Sequence, residues 1–513
     1  MASQGNPPVI KKTLGLSGVT MNAMALIAPG AFLWTTFQLQ AANNGGATDI
    51  WTGIVAALII AFLTALSFAE LARRYPEAGA GGSYYFAEKA FLDREKPMHQ
   101  RFARLAKFAT GWAAHLFYWV YPGVMVAFMA IVLTYILGQF GLTVPLAGQI
   151  LIAVLFAIAV GFIAVRGISG STTIAIVINV VQLVSLVGFS ILAIVFRLTN
   201  PLGAVQWAHP APTSIIFPHS LATMLFQSTI AILILVGFES STSLAGETIN
   251  PRRDIPRGVI LSLAIQGLFA YLLEYFAANY AISEKLTYTA ADGTVLTGMA
   301  AAAASGAPIG DLVKLIGNSL LGGNGFALMI IIAITVALAI LGTTLAAINT
   351  AVRISFAMAQ DNEMPELLGA LHGKYATPHM GVWVLVGVSA IIGTLGVLNV
   401  TALTGITLAS NIGTFALYAL ICGLTFVAFA GRSEFRSFKH AVIPALGILG
   451  NLGMLVAILG IGLTTPGVSA NATRLALGIT IGWGVVSAIY LVWNSRQRGR
   501  AIVAGLSRTG AGD

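Results

Sequence analysis

The sequence is poor in charge. Only 9% of the 513 residues are Asp, Glu, Lys or Arg, whereas 57% are hydrophobic. A soluble globular domain carries about 25% charged residues, so the composition excludes an ordinary water-soluble protein. The apolar content suffices for on the order of a dozen helical crossings of a bilayer at about 20 residues each.

Cysteine and catalytic motifs are also scarce. Cys422 is the single cysteine, which excludes an intramolecular disulfide. The absence of a Gly-x-x-x-x-Gly-Lys-Ser/Thr loop argues against ATP hydrolysis at a P-loop. The seven histidines are scattered and no paired acidic motif occurs, so we predict no enzyme active site, no metal site and no cofactor. The spans lack the repeated polar rings of a channel.

Long apolar runs predict an all-α integral membrane protein with twelve transmembrane helices. The runs are continuous, unlike the ~10-residue alternating segments of a membrane β-barrel. The predicted spans lie near 17–40, 51–72, 107–138, 144–165, 171–196, 225–248, 257–280, 323–352, 381–399, 403–430, 441–463 and 473–494. Segment 83–96 suits an amphipathic helix lying on the membrane surface, and 309–321 suits a helix capping the opposite face.

The distribution of positive charge predicts the orientation. Of the 27 Lys and Arg residues, all but four fall on one side of the predicted spans. The four exceptions are Arg197, Lys285, Lys314 and Arg474. By the positive-inside rule, both termini are expected in the cytoplasm. The net charge of +9 thus reflects the membrane face, and no nucleic-acid partner is expected.

Two predicted spans are interrupted near mid-membrane by glycine, proline or polar residues. The interruptions are Ala28-Pro29-Gly30-Ala31 in the first span and Gly237-Phe238-Glu239-Ser240 in the sixth. Backbone groups freed within the bilayer cost several kcal/mol each unless protein, water or a ligand satisfies them. Each break alone could be an ordinary kink, but paired interruptions in two halves of a chain indicate a transporter binding site.

The ends of broken helices also predict what such a site would bind. Helix amino ends carry partial positive charge and carboxyl ends partial negative charge. Freed N–H groups can therefore cradle a carboxylate, and freed carbonyls can accept from an ammonium. Because the breaks lie five spans apart, an odd number of crossings, a repeated unit would insert its second copy upside down. We expect a small amine, especially a zwitterionic amino acid, as the substrate.

Several motifs resemble those of the amino acid–polyamine–organocation superfamily of permeases. They are Phe68-Ala69-Glu70-Leu71, Tyr75-Pro76-Glu77-Ala78-Gly79, Gly237-Phe238-Glu239, Ala245-Gly246-Glu247, Asn250-Pro251-Arg252-Arg253-Asp254-Ile255-Pro256 and Phe356-Ala357-Met358-Ala359-Gln360-Asp361-Asn362-Glu363-Met364-Pro365. The matches extend from the first span through the ninth, and the Asn-Pro-Arg-Arg-Asp-Ile-Pro string is the most specific.

The resemblance implies a five-plus-five inverted repeat and alternating-access transport of amino acids or amines across the cell membrane. The repeats would span 17–196 and 225–430, followed by two additional helices within 441–494. Residues 1–16 and 495–513 would form cytoplasmic tails. In this family the first break holds the substrate carboxylate, and carbonyls of the sixth-span break hold the amine.

Two positions depart from the family pattern. Ala28 stands where the family often has glycine, which leaves room for substrates other than simple α-amino acids. Some proton-coupled members carry a lysine in the fifth span, whereas the similar stretch here offers Gln182, which cannot titrate. Proton coupling remains the preferred driving force, with exchange of related solutes as the next alternative.

Glu239 is the carboxylate that the predicted spans place near mid-bilayer. It could pair with a substrate ammonium, carry the coupled proton, or cap the second half-helix. Tyr118 and Tyr121 could line the cavity, although packing is the commoner role for such aromatics. A headgroup-level position is expected for Glu274, a core role for His115 and an interhelical hydrogen bond for Asn411.

Charged residues flank the inner ends of the second and sixth spans. They could be solvated positive-inside residues and their counter-charges, or a gate of ion pairs that break during cycling. The gate candidates are Glu70, Arg73, Arg74, Glu247, Arg252 and Asp254. Within the transporter class, the alternative is an amine or polyamine carrier in which Glu239 neutralises a cation that lacks a carboxylate.

Overall fold

The computed structural model describes residues 12–27, 29–43, 47–76, 81–93, 100–167, 172–375 and 377–503. Within these ranges the chain is almost entirely helical, and eleven helical segments are long and apolar enough to cross a membrane. A continuous helix satisfies every backbone group within the apolar slab, which is why apolar runs of this length fold as helices. The prediction of an all-α, multi-pass membrane protein is confirmed.

The described residues of the first half of the chain form nine α-helices. In order, these are α1 (Leu16–Ile27), α2 (Pro29–Ala41), α3 (Ile50–Arg74), α4 (Ser83–Leu92), α5 (Ala103–Gln139), α6 (Leu146–Val165), α7 (Thr172–Thr199), α8 (Thr213–Ile216) and α9 (Leu221–Ala231). Short 3₁₀ segments cover Ala47–Asp49 and Ile232–Ile234, and a longer one covers Phe238–Glu247.

The second half begins with α10 (Pro251–Leu263), which continues through a π-helical segment, Ala264–Tyr271, into α11 (Leu272–Ala281). The remaining elements are β1 (Thr287–Thr289), β2 (Val295–Thr297), α12 (Gly298–Ala304), α13 (Pro308–Leu320), α14 (Gly325–Gln360), a 3₁₀ turn (Glu366–Gly369), α15 (His379–Gly396), α16 (Val400–Phe429), a π segment (Phe438–Val442), α17 (Ile443–Ala457), a π segment (Ile458–Gly462) and α18 (Val468–Gln497). The strands form an antiparallel hairpin with Tyr288 opposite Leu296.

Most predicted spans coincide with observed helices. The first span consists of two helices, α1 and α2, and the third is a 37-residue helix with Pro122 inside it. The helix predicted over 83–96 is α4, which buries Tyr84 and Phe86 against α5 and α16. The capping helix predicted over 309–321 is α13. The π-helical segments were not predicted, because a single wide turn leaves no mark on hydrophobic periodicity.

Helices α5 and α16 form the centre of the bundle. Helix α5 packs against α14, α15 and α16, and nearly all side chains along its middle are buried. Small residues permit this close approach, as is common in membrane helix packing. A Cβ placed on Gly413 would lie 2.6 Å from the backbone nitrogen of Phe117.

The loops divide the molecule into two faces. Both ends of the described chain lie on one face, here called the inner face. Thr13 and Leu14 bond the carbonyl of Glu247, which pairs with Arg353 of α14, and Arg500 bonds the carbonyl of Asp361 at the end of the same helix. The opposite, outer face carries the β1–β2 hairpin, α12 and the cap helix α13.

Candidate functional site

The structure describes helices α1 and α2 on either side of the interruption predicted in the first span. Helix α1 ends at Ile27 and α2 begins at Pro29, while Ala28 lies outside the described residues. For Pro29, Gly30 and Ala31 the structure describes the backbone, which is helical. Proline suits the first position of a helix because the first amide groups have no partner within it. A helix that begins at Pro29 leaves its first amide groups without a partner inside the helix.

The carboxyl end of α1 is bonded by tyrosine hydroxyls. Tyr121 donates to the carbonyl of Leu26 at 3.2 Å, and Tyr271 donates to the carbonyl of Ile27 at 2.7 Å. These hydroxyls give both carbonyls at the end of α1 a hydrogen-bond donor. Tyr121 thus lies at the end of α1, while its predicted place in a substrate cavity stays a prediction; Tyr271 was not singled out by the sequence.

The sixth span is interrupted over a longer stretch. Regular helix ends at Ala231, and after a short 3₁₀ turn the backbone of Gly237 takes a φ of +125°. That φ is open to glycine and strained for other residues. In the described part of the chain, no hydrogen bond is donated to the carbonyls of Leu235 and Val236. The break therefore offers acceptors.

The two breaks touch each other. A Cβ placed on Gly237 would lie 3.0 Å from Cβ and Cγ of Leu26 and 3.1 Å from Cγ1 of Ile27. Gly237, which follows the carbonyls of Leu235 and Val236 in sequence, thus lies beside the end of α1. The two predicted interruptions come together although about 210 residues of sequence separate Ile27 from Gly237.

Glu239 is held by three hydrogen-bond donors. Its Oε1 accepts from the Tyr118 hydroxyl at 2.9 Å, and its Oε2 accepts from the Tyr418 hydroxyl at 2.9 Å and the Gly237 amide at 3.0 Å. The carboxylate is buried. The sequence did not single out Tyr418, because an aromatic residue within an apolar span gives no sign of its hydroxyl's partner.

A run of hydroxyl side chains explains why the sixth span continues as a 3₁₀ helix. Each bonds the carbonyl three residues before it, within 2.6–2.7 Å: Ser240 to Gly237, Ser241 to Phe238, Thr242 to Glu239 and Ser243 to Ser240. Ser240 and Phe238 were predicted to bind substrate. In this structure the Ser240 hydroxyl is occupied, and the Phe238 ring packs against Phe68 and Tyr418.

Cavities lie on both sides of the breaks. A cavity of about 540 Å³ opens on the inner face beside Arg74, Asp93 and Arg252. Another of about 580 Å³ opens on the outer face, lined by Gln38, Tyr135 and other residues. The residues of the sixth-span break are buried between them. The breaks are thus closed to both faces in this structure.

The predicted inner gate is spread over separate ion-pair groups. Arg74 pairs with Asp93 of α4 at 2.7 Å and with Glu434 at 3.0 Å, which joins three parts of the inner face. Although partial burial alone would raise it, the pKa of Asp93 is held below its usual value by its hydrogen bond from Arg74 and the charge of Arg432. Asp93 and Glu434 were not predicted.

Glu70 and Arg73 form a second group. They pair within one helical turn, and Glu70 also lies 3.5 Å from Nζ of Lys439 and 3.4 Å from Nε2 of His440. This group joins the inner end of α3 to the start of α17. The gating role of Glu70 and Arg73 stays a prediction.

Glu247 closes the inner end of the sixth span. Its side chain pairs with Arg353 of α14 at 2.8 Å, and its carbonyl accepts from the amides of Thr13 and Leu14. These bonds tie the start of α1 to the exit of the sixth span. Asp254 pairs with its neighbour Arg253, and Arg252 lines the inner cavity, so neither joins Glu247.

The other sequence predictions have mixed outcomes. His115 is a buried core residue, 2.6 Å from the Gly111 carbonyl and 2.9 Å from Oγ of Ser355. Asn411 makes the expected interhelical bond, to the carbonyl of Thr229. Gln182 is buried on α7.

Glu274, for which a headgroup-level position was expected, is buried within the protein, with an exposed fraction of only 1%. Its helix, α11, packs against α7, α3 and the cap helix α13.

Asp311 is an outer-cavity residue that sequence reasoning missed. It accepts from Tyr135 at 2.9 Å and from Ser305 at 2.5 Å. Burial raises the pKa of Asp311, an effect opposed by these two hydrogen bonds and by the charge of Lys314. Among the described residues, no group of three His, Cys, Asp or Glu side chains is arranged to hold a metal ion.

Comparison with known proteins adds independent support. A family model described as amino acid permease matches residues 12–492. The chain is 24% identical over 457 residues to the methylthioribose transporter of Bacillus subtilis, covering 88% of each chain. It is 24% identical over 492 residues to the low-affinity putrescine importer PlaP of Escherichia coli, covering 94% of this chain and 93% of the importer.

A third relative is an amino acid transporter. The branched-chain amino acid permease BcaP of Bacillus subtilis is 23% identical over 471 residues, which cover 91% of each chain. The substrates in these three names differ in charge and in the presence of a carboxylate.

Proposed function

Because this chain belongs to the amino acid permease family and is a membrane transport protein, we propose that it carries an amino acid by alternating access. The observation that supports this most strongly is the contact between the two breaks at Gly237 and Leu26. The substrate would bind there, in the middle of the bundle, after the surrounding helices part.

The polarity of the two breaks suits a zwitterion. The amino end of α2 supplies unpaired N–H groups for a carboxylate, and the carbonyls of Leu235 and Val236 supply acceptors for an ammonium. Glu239 adds a negative charge close to those carbonyls. Gly30 and Gly237 would allow the backbone to approach the substrate closely.

Three donors on Glu239 favour the first of its predicted roles. Hydrogen bonds to a carboxylate stabilise the ionised form. We therefore assign Glu239 as a fixed negative charge that attracts the substrate ammonium and holds Gly237 in place through its amide. Tyr118 would position this carboxylate, and Tyr121 would position the end of α1.

The two cavities support alternating access. Opening either the outer cavity or the inner one toward the breaks would expose the same site to one face at a time. The inverted repeats predicted over 17–196 and 225–430 would move against each other in this cycle. The Glu247–Arg353 and Arg74–Asp93 pairs would close the inner side and part when it opens.

We also propose the orientation and the driving force. The inner face carries nearly all the Lys and Arg residues, which favours a cytoplasmic inner face, with both termini in the cytoplasm of a cell membrane. Uptake would be driven by a proton gradient, with exchange of related solutes as the alternative.

An amine carrier of the same fold is the second candidate. A putrescine importer is among the relatives, and Glu239 would serve a cation without a carboxylate equally well. The difference lies at α2, whose N–H groups such a substrate would leave unpaired.

The test is a thermal-shift screen of purified protein followed by competition in proteoliposomes. L-amino acids, putrescine and methylthioribose would be screened, since a ligand that binds the folded state raises the melting temperature. Each amino acid that binds is then compared with its decarboxylated analogue. We expect the amino acid to compete and the amine to fail.

If only the amine competes, the protein is an amine carrier and the proposal of an amino acid carrier is wrong. The matched control is Gly246→Ala, since a Cβ there meets no atom within 4 Å. Binding that survives in Gly237→Ala as well as in Gly246→Ala would reject the site at the breaks.

A further inference from the structure

Glu274 is a buried carboxyl group without a partner. It lies on α11, its exposed fraction is 1%, and neither carboxylate oxygen accepts a hydrogen bond from any described residue. Glu239, by contrast, accepts three hydrogen bonds. Both acidic side chains are buried, but among the described residues only Glu239 has hydrogen-bond donors.

No cation in the described structure reaches Glu274. The ionisable groups on the elements around it are Tyr271, Tyr275 and Tyr280 on its own helix and the preceding turn, Arg197 on α7, Asp311 and Lys314 on α13, and Glu70, Arg73 and Arg74 on α3. Arg197 stacks on Trp207 and Tyr280, and Lys314 donates to Gln139. The three charges on α3 lie at its inner end.

The position of Glu274 links it to the breaks. Tyr271 precedes Glu274 by three residues and Tyr275 by four, so Tyr271 shares a helix face with each of them. Glu274 lies close enough to both tyrosines to interact with them electrostatically. Tyr271 bonds the Ile27 carbonyl at the first break, and Tyr275 stacks on Phe37 of α2, with ring centroids 5.8 Å apart. Glu274 therefore lies about one helical turn beyond the break, beside the outer half of the first span.

An ionised carboxylate cannot remain stable in this environment. Burying a charge without a partner costs several kcal/mol, and the group neutralises instead by binding a proton. Hydrogen bonds from the protein would offset that cost for Glu239 but are absent at Glu274 among the described residues. The closed arrangement therefore requires a proton on Glu274, whereas contact with water would allow the proton to leave.

We propose that Glu274 is the proton-carrying residue of this transporter, which rests on the proton-driven transport proposed above. Glu274 takes up a proton from water on the outer side when α11 and α2 part near Phe37 and Tyr275. The transporter closes over Glu274 only when its carboxyl group is neutral, because burying the carboxylate anion without a partner costs free energy. The proton is released when the inward-open state brings water to the same carboxyl.

This division of labour differs from the sequence-based hypothesis, in which Glu239 or the position of Gln182 serves coupling. Glu239 keeps its charge for the substrate, and Glu274 changes its charge with the conformational cycle. Substrate binding and proton binding then occur at separate carboxyl groups on neighbouring spans.

Infrared difference spectroscopy of the protein in lipid at pH 7, without substrate, tests the protonation directly. We expect the carbonyl stretching band of a protonated carboxyl group in the wild type, its loss in Glu274→Gln and its retention in Glu239→Gln. A wild-type spectrum without a band that depends on Glu274 would overturn the proposal, whatever the substrate proves to be.

Transport by proteoliposomes tests coupling, with radiolabelled L-leucine and putrescine as the probes. A gradient of one pH unit can sustain at most about a tenfold accumulation of a solute carried one for one. In Glu274→Gln, which mimics the protonated group, we expect accumulation to fall to equilibration while counterflow exchange continues. Glu284→Gln, an exposed outer-loop control, should behave as the wild type.

The remaining outcomes are distinguishable. Accumulation by Glu274→Gln that still follows the pH gradient would exclude Glu274 as the proton carrier. Loss of counterflow as well, in a variant that melts at the wild-type temperature, would make Glu274 a substrate ligand and also overturn the proposal. Absence of counterflow in the wild type with every probe would count against the proposed function instead, and the infrared result would then decide on Glu274.

Discussion

The two interrupted spans differ in how they satisfy their free backbone groups. At the first break, hydroxyls of Tyr121 and Tyr271 bond the carbonyls that end α1. At the sixth-span break, the carbonyls of Leu235 and Val236 receive no bond from the described residues.

The difference shows which groups remain for a ligand. In the proposed site, the first span would supply the amino-end N–H groups of α2, and the sixth would supply the carbonyls that receive no bond from the described residues. Each break therefore presents one polarity, and together they complement a molecule that carries both charges. A single broken helix could not separate donors from acceptors in this way, since its two ends would compete for the same space.

The largest effect is expected from removing the contact between the breaks. Gly237→Ala forces a side chain into a backbone conformation that costs about 1–3 kcal/mol. It also overlaps Leu26 and Ile27, at a further cost of about 1–3 kcal/mol. We expect transport and ligand-induced thermal stabilisation to be abolished, while Gly246→Ala in the same segment leaves both unchanged. Normal uptake by Gly237→Ala would show that the breaks act independently.

A smaller effect is expected from removing one hydrogen bond to Glu239 at the sixth-span break. Tyr118→Phe or Tyr418→Phe removes one hydrogen bond to the Glu239 carboxylate, worth about 1.5–3 kcal/mol for a charged acceptor. We expect roughly tenfold or greater loss of substrate affinity, measured by competition. Tyr490→Phe on the peripheral helix α18 is the control. Unchanged affinity in both variants would show that Glu239 does not depend on its donors.

The smallest effect is expected from removing a hydrogen bond to the carbonyl at the end of α1. Tyr271→Phe frees the Ile27 carbonyl at a cost of about 0.5–1.5 kcal/mol, the value of a neutral hydrogen bond. The melting temperature should fall slightly, and affinity for an amino acid should change by less than for Tyr118→Phe. A loss of affinity that equals that of Tyr118→Phe would contradict the proposed division between the two breaks.

The sequence predicted the fold because composition and periodicity respond directly to the bilayer. Apolar runs identified the spans, and Pro29 and Gly237 marked the breaks, because both residues disrupt helical hydrogen bonding. The capping helix α13 was also found from its spacing.

The partners of the polar side chains could not be predicted in the same way. Tyr418 reaches Glu239 from a helix 179 residues away in sequence, and no local pattern records such a contact. Glu274 illustrates the same limit, since no local pattern records that it is buried with no hydrogen-bond partner among the described residues. The gate candidates Arg74 and Glu247 likewise contact residues that the motifs do not include.

The most direct test of the account is a cryo-electron-microscopy structure with a substrate found by the thermal-shift screen. We predict ligand density between the amino end of α2 and the carbonyls of Leu235 and Val236, with the ammonium toward those carbonyls and Glu239. Density confined to the outer or inner cavity, with Gly237 still packed on Leu26, would contradict the claim that the two breaks form the binding site.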